Sequence, residues 1–115
     1  MTKHFKAVRF AWNGIVWGLK TQPNYRVHIL LSLITVLAGY YYGISYEEWL
    51  TVIVMMFLGF VIETVNTAIE KLGDSIDTKF NEHIKLAKDS GAGAMLIFSF
   101  GAAIIAAIIF LPKIF

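Results

Sequence analysis

The 115-residue sequence has no cysteine, which excludes disulfides, thiolate nucleophiles and cysteine metal sites and leaves the redox compartment unread. Proline occurs only at Pro23 and Pro112. Residues 1–46 contain no Asp or Glu, whereas they carry Lys3, Lys6, Arg9, Lys20 and Arg26; all eight acids lie between Glu47 and Asp89. There is no Walker loop and no glycine-rich loop after a strand, so the soluble nucleotide-binding folds are excluded. The N-terminus has no short apolar core followed by a small-residue cleavage site, so no cleavable signal peptide is expected.

Apolar residues, in contrast, are abundant. They make up 57% of the chain, and the mean hydropathy is +0.65. A chain this short and this apolar is expected to be an all-α membrane protein with one domain spanning 1–115. Residues 3–20 alternate basic side chains with Phe5, Val8, Trp12, Ile15, Val16 and Leu19 at helical spacing, the pattern of an amphipathic helix lying in the bilayer interface. Nucleic acid, the rival partner for a basic helix, is not expected beside three apolar spans. Around Pro23 the chain breaks, either ending the first helix or opening the next. Apolar spans follow at about 27–45, 49–72 and 91–111, each near the ~20 residues that cross a bilayer core. Between the first two, residues 45–48 read as a very short loop. Residues 74–88 read as a polar connection, including Asp77. Tyr40, Tyr41, Tyr42 and Tyr46, with Trp12, Trp17 and Trp49, suit headgroup interfaces.

Basic residues set the orientation. The 45–48 loop has none, while nine of the ten lie in the N-terminal region or around the 74–88 connection. The positive-inside rule then puts the N-terminus and that connection in the cytoplasm, and the C-terminus outside.

The second span carries an anomaly. Glu63, Asn66, Glu70 and Asp74 share one helical face at the end of a long apolar run. An ionisable group inside a membrane costs about 3 kcal/mol or more, and such groups mark function by default. Glu70 and Asp74 fall at the cytoplasmic interface, and Glu63 lies ~10 Å deeper. Lys88-Asp89 and the Gln22-to-His28 stretch reach the same level. Carboxylates beside a cationic connection, facing both cytoplasm and lipid, suit phosphoryl transfer. A Mg²⁺-bound phosphate donor takes the wet end, a lipid hydroxyl approaches from the bilayer, a carboxylate accepts its proton and a lysine neutralises phosphate charge.

The run Glu63-Thr64-Val65-Asn66-Thr67-Ala68-Ile69-Glu70-Lys71-Leu72-Gly73-Asp74, followed by Lys88-Asp89, resembles the small prokaryotic diacylglycerol kinase family, which includes undecaprenol kinases. Asn24-Tyr25-Arg26-Val27-His28 is similar to the Asn-x-(Arg/Gln)-x-His stretch of the undecaprenol-type branch. The resemblance covers nearly the whole chain. It implies a membrane lipid kinase using Mg-ATP, with undecaprenol preferred over diacylglycerol. Glu63 would be the general base and contact the lipid, and Asn66 would position the γ-phosphate and the acceptor. Glu70 would bind metal, Lys88, Asp89 and Asp74 would bind nucleotide, and Asn24 and His28 would meet the lipid. It also implies a homotrimer with active sites shared between subunits, in keeping with the expectation that three short helices alone would not enclose the stripe.

This chain departs from the family pattern twice. Gln22 stands where the family usually has a second metal-binding Glu, and a glutamine offers a carbonyl oxygen without charge. The stretch Lys79-Phe80-Asn81-Glu82 lacks a His near Asn81, the nearest being His83. Two other readings stay open: a small proton-coupled transporter with Glu63 as carrier carboxylate, and a family member weakened in catalysis by Gln22.

Overall fold

The computed structural model describes residues 2–76 and 79–115; Asp77 lies outside them. The described residues contain four helices and no strand: α1 (Lys3–Thr21), α2 (Pro23–Tyr42), α3 (Tyr46–Ile76) and α4 (Glu82–Ile114). Two of them, α3 and α4, are long and apolar enough to cross a membrane.

Each junction follows from local chemistry. The Thr2 hydroxyl caps α1 by accepting from the Phe5 N–H. Only Gln22 separates α1 from α2, and Pro23 takes the first position of α2, where its missing N–H costs nothing. Gly43, at φ +60°, ends α2 in the left-handed conformation. Residues 45–48 are not the loop expected from the sequence, because Ser45 and Glu48 form a reciprocal capping box. Ser45 N–H donates to Glu48 Oε1 at 2.9 Å and Glu48 N–H to Ser45 Oγ at 3.2 Å, so α3 begins at Tyr46. Glu47 and Glu48 thus fall in its first turn, where the helix dipole favours them.

Much of the expected 74–88 connection is also helical. α3 continues through Ile76, and Asn81 caps α4 by accepting from the His83 and Ile84 N–H groups. Pro112 does not close α4, which runs on to Ile114; so near the end, only the acceptor at Ile108 loses its bond.

The closest packing joins α3 to α4, with α2 against α3 and α1 against the base of both α2 and α3. Buried residues form two groups. At the end where α2 turns into α3, Ile44, Val52 and Ile109 make a small apolar core, flanked by Tyr42, Trp49, Met56, Ile105 and Phe110. Toward the other end the buried side chains are Tyr25, Glu63, Asn66 and Thr67. In a molecule whose leucines and isoleucines mostly face outward, polar groups are among the most enclosed. Since buried charge and amide are ordinarily disfavoured, this group defines the site.

Candidate active site

The α3 face bearing Glu63, Asn66, Glu70 and Asp74 runs from dry to wet. Glu63 is 3% exposed and Asn66 6%; Glu70 is half-buried and Asp74 exposed. One chain therefore encloses the deep part of the stripe, contrary to the expectation that three short helices would leave it open. The enclosure comes from three small-residue contacts. Gly91 of α4 lies flush against the Asn66 amide oxygen, with no room for a Cβ. At Gly59, α3 approaches Phe98 and His28 so closely that a Cβ would fall 3.0 Å from the Phe98 ring and 3.2 Å from His28 Nδ1. Gly18 of α1 sits against the Tyr25 ring, where a Cβ would be 2.8 Å away.

Around Glu63 the contacts are polar. Thr67 Oγ1 donates to Glu63 Oε1 at 3.4 Å, and His28 Nε2 stands 4.0 Å from Glu63 Oε2. One residue along, the Thr64 hydroxyl donates to the Phe60 carbonyl at 2.7 Å, so the Tyr25 hydroxyl must donate in the Tyr25–Thr64 hydrogen bond. Tyr25 also stacks on Phe60 at 6.2 Å. One turn toward the wet end, Asn66 Nδ2 donates to Glu70 Oε1 at 3.4 Å. Asn66 Oδ1 is buried against Gly91 and has no hydrogen-bond partner among the described residues.

Beyond the apolar 49–72 stretch, the side chain of Lys88 crosses the bare backbone of Gly73, where a Cβ would lie 3.1 Å from its Cε, and pairs with Asp74. That hydrogen bond first, then the charges of Lys88 and Lys71, hold the Asp74 carboxyl below the usual carboxylate range. Lys85 and Asp89 pair one turn apart at 2.5 Å. Asp74, Lys79, Phe80, Asn81, Ile84, Lys85, Lys88 and Asp89 line an open pocket of about 420 Å³ between the end of α3 and the start of α4. Lys71 Nζ lies 5.4 Å over the Trp17 ring, tying α1 to the same end of α3.

The expected site residues thus divide into two sets. Glu63, Asn66, Glu70 and His28 meet in the buried set, and Asp74, Lys88 and Asp89 line the pocket. Asn24 stays exposed on the first turn of α2. The half-buried Gln22 amide donates to Thr21 Oγ1 at 3.3 Å and makes no hydrogen bond to Glu70. His83 lines a separate apolar cleft with Ile69, Leu72 and Ile76 rather than this pocket. Sequence reasoning missed Tyr25, Thr67, Lys79 and Lys85. Lys85 was within reach, since it shares a helical face with Lys88 and Asp89. Thr67 sits four residues after Glu63, the spacing at which helical side chains meet.

Comparison with known proteins decides the family. The sequence profile of prokaryotic diacylglycerol kinase matches residues 9–110. The chain belongs to this family. It is 32% identical over 114 residues to an undecaprenol kinase of Bacillus subtilis, covering 99% of this chain and 93% of the relative. A diacylglycerol kinase of Synechocystis is 30% identical over 110 residues, covering 92% of this chain but 61% of that protein. A diacylglycerol kinase of Helicobacter pylori strain J99 is 32% identical over 93 residues, 81% of this chain and 73% of the relative. This member of the diacylglycerol kinase family is therefore a lipid kinase of the integral-membrane type. Kinase and transporter were both open from the stripe alone; the family decides for the kinase.

Proposed function

We propose that this kinase transfers the γ-phosphate of Mg-ATP to the hydroxyl of a membrane lipid, with Glu63 as the general base. The observation that carries the reading is the gradient along α3. Its dry end is an enclosed carboxylate among apolar helices, and its wet end opens into a pocket bearing three lysines. A lipid alcohol reaches the first and a charged nucleotide the second.

In the reaction the acceptor oxygen forms a bond to the γ-phosphorus as the bridging bond to ADP breaks, and the hydroxyl proton passes to the Glu63 carboxylate. Thr67 holds one Glu63 oxygen. Asn66 lies between Glu63 and Glu70 along the stripe and donates through Nδ2 to Glu70, and it would fix the acceptor and the transferring group. Lys88, released from Asp74, neutralises phosphate charge, with Asp89 and Asp74 ordering the lysines that line the pocket.

The donor set fits a hard divalent cation. Glu70 Oε1 receives Asn66, and Oε2 has no hydrogen-bond partner among the described residues. No three acidic or histidine side chains converge among the described residues, so phosphate oxygens and water would complete the shell, as Mg²⁺ favours. When bound, Mg²⁺ would neutralise phosphate charge. With its amide on Thr21, Gln22 supplies no second carboxylate, which supports a weakened metal site as a second reading.

Undecaprenol is the preferred acceptor over diacylglycerol. The Asn24-to-His28 stretch and the undecaprenol kinase relative support it. We place three spans in a cytoplasmic (inner) membrane with the N-terminus inside: α2, at 20 residues and ~30 Å, has the length of a bilayer core. We also propose assembly into a homotrimer, as the family resemblance implies. Incubation with labelled ATP, Mg²⁺ and each lipid tests the reading; no labelled lipid from either acceptor would overturn it.

A further inference from the structure

We infer that His28 is a positioning residue for Glu63, holding the carboxylate through Nε2 while Thr67 holds its other oxygen. This rests on the reading of Glu63 as the general base. Ionisable side chains are scarce at this depth. Between Arg26 and Tyr40, α2 has one ionisable side chain, His28; between Glu48 and Glu70, α3 has one, Glu63; from Ser90 to Pro112, α4 has none. The apolar belt of the chain thus holds two ionisable groups on different helices, and they meet at 4.0 Å. Ionisable groups at membrane depth are stable when they find each other.

The geometry selects Nε2. His28 is clamped between Phe60 of α3 and Phe98 of α4, with ring centroids at 5.7 and 6.3 Å. On the far side, Nδ1 faces the Gly59 backbone, where a Cβ would lie 3.2 Å from it. The imidazole is therefore fixed in the plane that aims Nε2 at Glu63 Oε2. Its side chain is 15% exposed and that of Glu63 4%. The other titratable or charged groups near His28 are on its own helix. The Tyr25 hydroxyl is committed to Thr64, and Arg26 reaches the Lys20 carbonyl. No competing charge comes from α3 or α4.

His28 also forms part of the wall of a cavity of about 370 Å³ between α2, α3 and α4, whose lining is mostly apolar but includes Ser32, Thr35 and Ser99. The imidazole stands between this membrane-level cavity and the carboxylate. Glu63 is not part of that lining, so a group in the cavity reaches the carboxylate only past the imidazole. At 4.0 Å the contact is open by about 1 Å relative to a hydrogen bond, as catalytic contacts often are before substrate arrives.

Two replacements distinguish positioning from packing. Phenylalanine fills the aromatic slot between Phe60 and Phe98 but offers Glu63 nothing; asparagine fills it poorly but offers an N–H. We expect H28F to lose roughly 10- to 100-fold in kcat, the scale of a misplaced catalytic group. We also expect H28N to retain clearly more, H28A to recover in part with added imidazole, and KM for ATP to stay constant throughout. H28F matching or exceeding H28N, with no imidazole rescue, would make His28 a packing residue. A rise in KM for the lipid at constant kcat would make it a lipid contact. E63Q, assayed alongside, separates the two claims. Activity in E63Q removes Glu63 as the base, whereas an inactive E63Q with unimpaired H28F and H28N removes only the role of His28.

Discussion

Gly91 of α4 lies against the amide oxygen of Asn66 on α3, so close that a single added methyl would displace it. Asn66 is enclosed and donates to Glu70, so it can yield only by giving up that hydrogen bond. G91A should therefore turn the Asn66 amide away from the line between Glu63 and Glu70. The expected result is a loss of roughly 10- to 100-fold in kcat with the helical content unchanged. Steady-state kinetics with circular dichroism checks it; wild-type kcat in G91A would remove Asn66 from the positioning of the reacting groups.

Gly73 plays the matching part at the wet end, letting the Lys88 stem cross α3 to reach Asp74. K88M should raise KM for ATP by ~10-fold or more, the worth of one lost charge-assisted contact. The thermal midpoint should scarcely move, because Lys88 and Asp74 are 36% and 60% exposed and an ion pair so open contributes little. A large midpoint shift with unchanged KM would assign the pair to stability instead.

At the opposite end of the molecule, Lys113 Nζ donates to Glu48 Oε2 at 2.8 Å, tying the end of α4 to the start of α3. The Lys113 hydrogen bond, followed by the one from the Ser45 backbone, holds the Glu48 carboxyl below its ordinary value. A carboxyl lowered in the folded state stabilises fully above the ordinary Glu range, and that contribution disappears as pH falls through the lowered value. E48Q should thus have a lower thermal midpoint than the wild type at neutral pH. The two curves should converge in acid, with lipid kinase activity at neutral pH unaffected. A gap that widens in acid would contradict the assignment.

The sequence made much of this legible. The helical class followed from apolar runs and from the rarity of proline, and the stripe from the spacing of Glu63, Asn66, Glu70 and Asp74. The ends of helices were harder, because a charged residue reads as loop until its cap is seen. Glu48 belongs to the first turn of α3 because Ser45 reciprocates its hydrogen bond. The partners that other helices bring to the stripe were not legible at all. That His28 and Gly91 surround Glu63 and Asn66 depends on how three helices cross, and spacing along one helix carries no information about crossing. For the same reason, the enclosure of Glu63 by one chain could not be foreseen.

Gln22 offers a direct test of the metal site. Its amide is turned toward Thr21 and brings no charge toward Glu70. Q22E should lower the Mg²⁺ concentration needed for half-maximal activity and raise activity at limiting Mg²⁺, with KM for the lipid unchanged. A Mg²⁺ titration identical to wild type would show that position 22 takes no part in metal binding.

The enclosed carboxylate on α3 is proposed to take the proton of a lipid hydroxyl. The most direct measurement follows transfer of label from γ-labelled ATP, with Mg²⁺, to undecaprenol and to diacylglycerol by purified wild type and E63Q in detergent. Labelled lipid is expected with the wild type, more from undecaprenol. With E63Q none above background is expected, although E63Q still binds nucleotide and elutes in the same assembly. Labelled lipid from E63Q at the wild-type rate would remove Glu63 as the base.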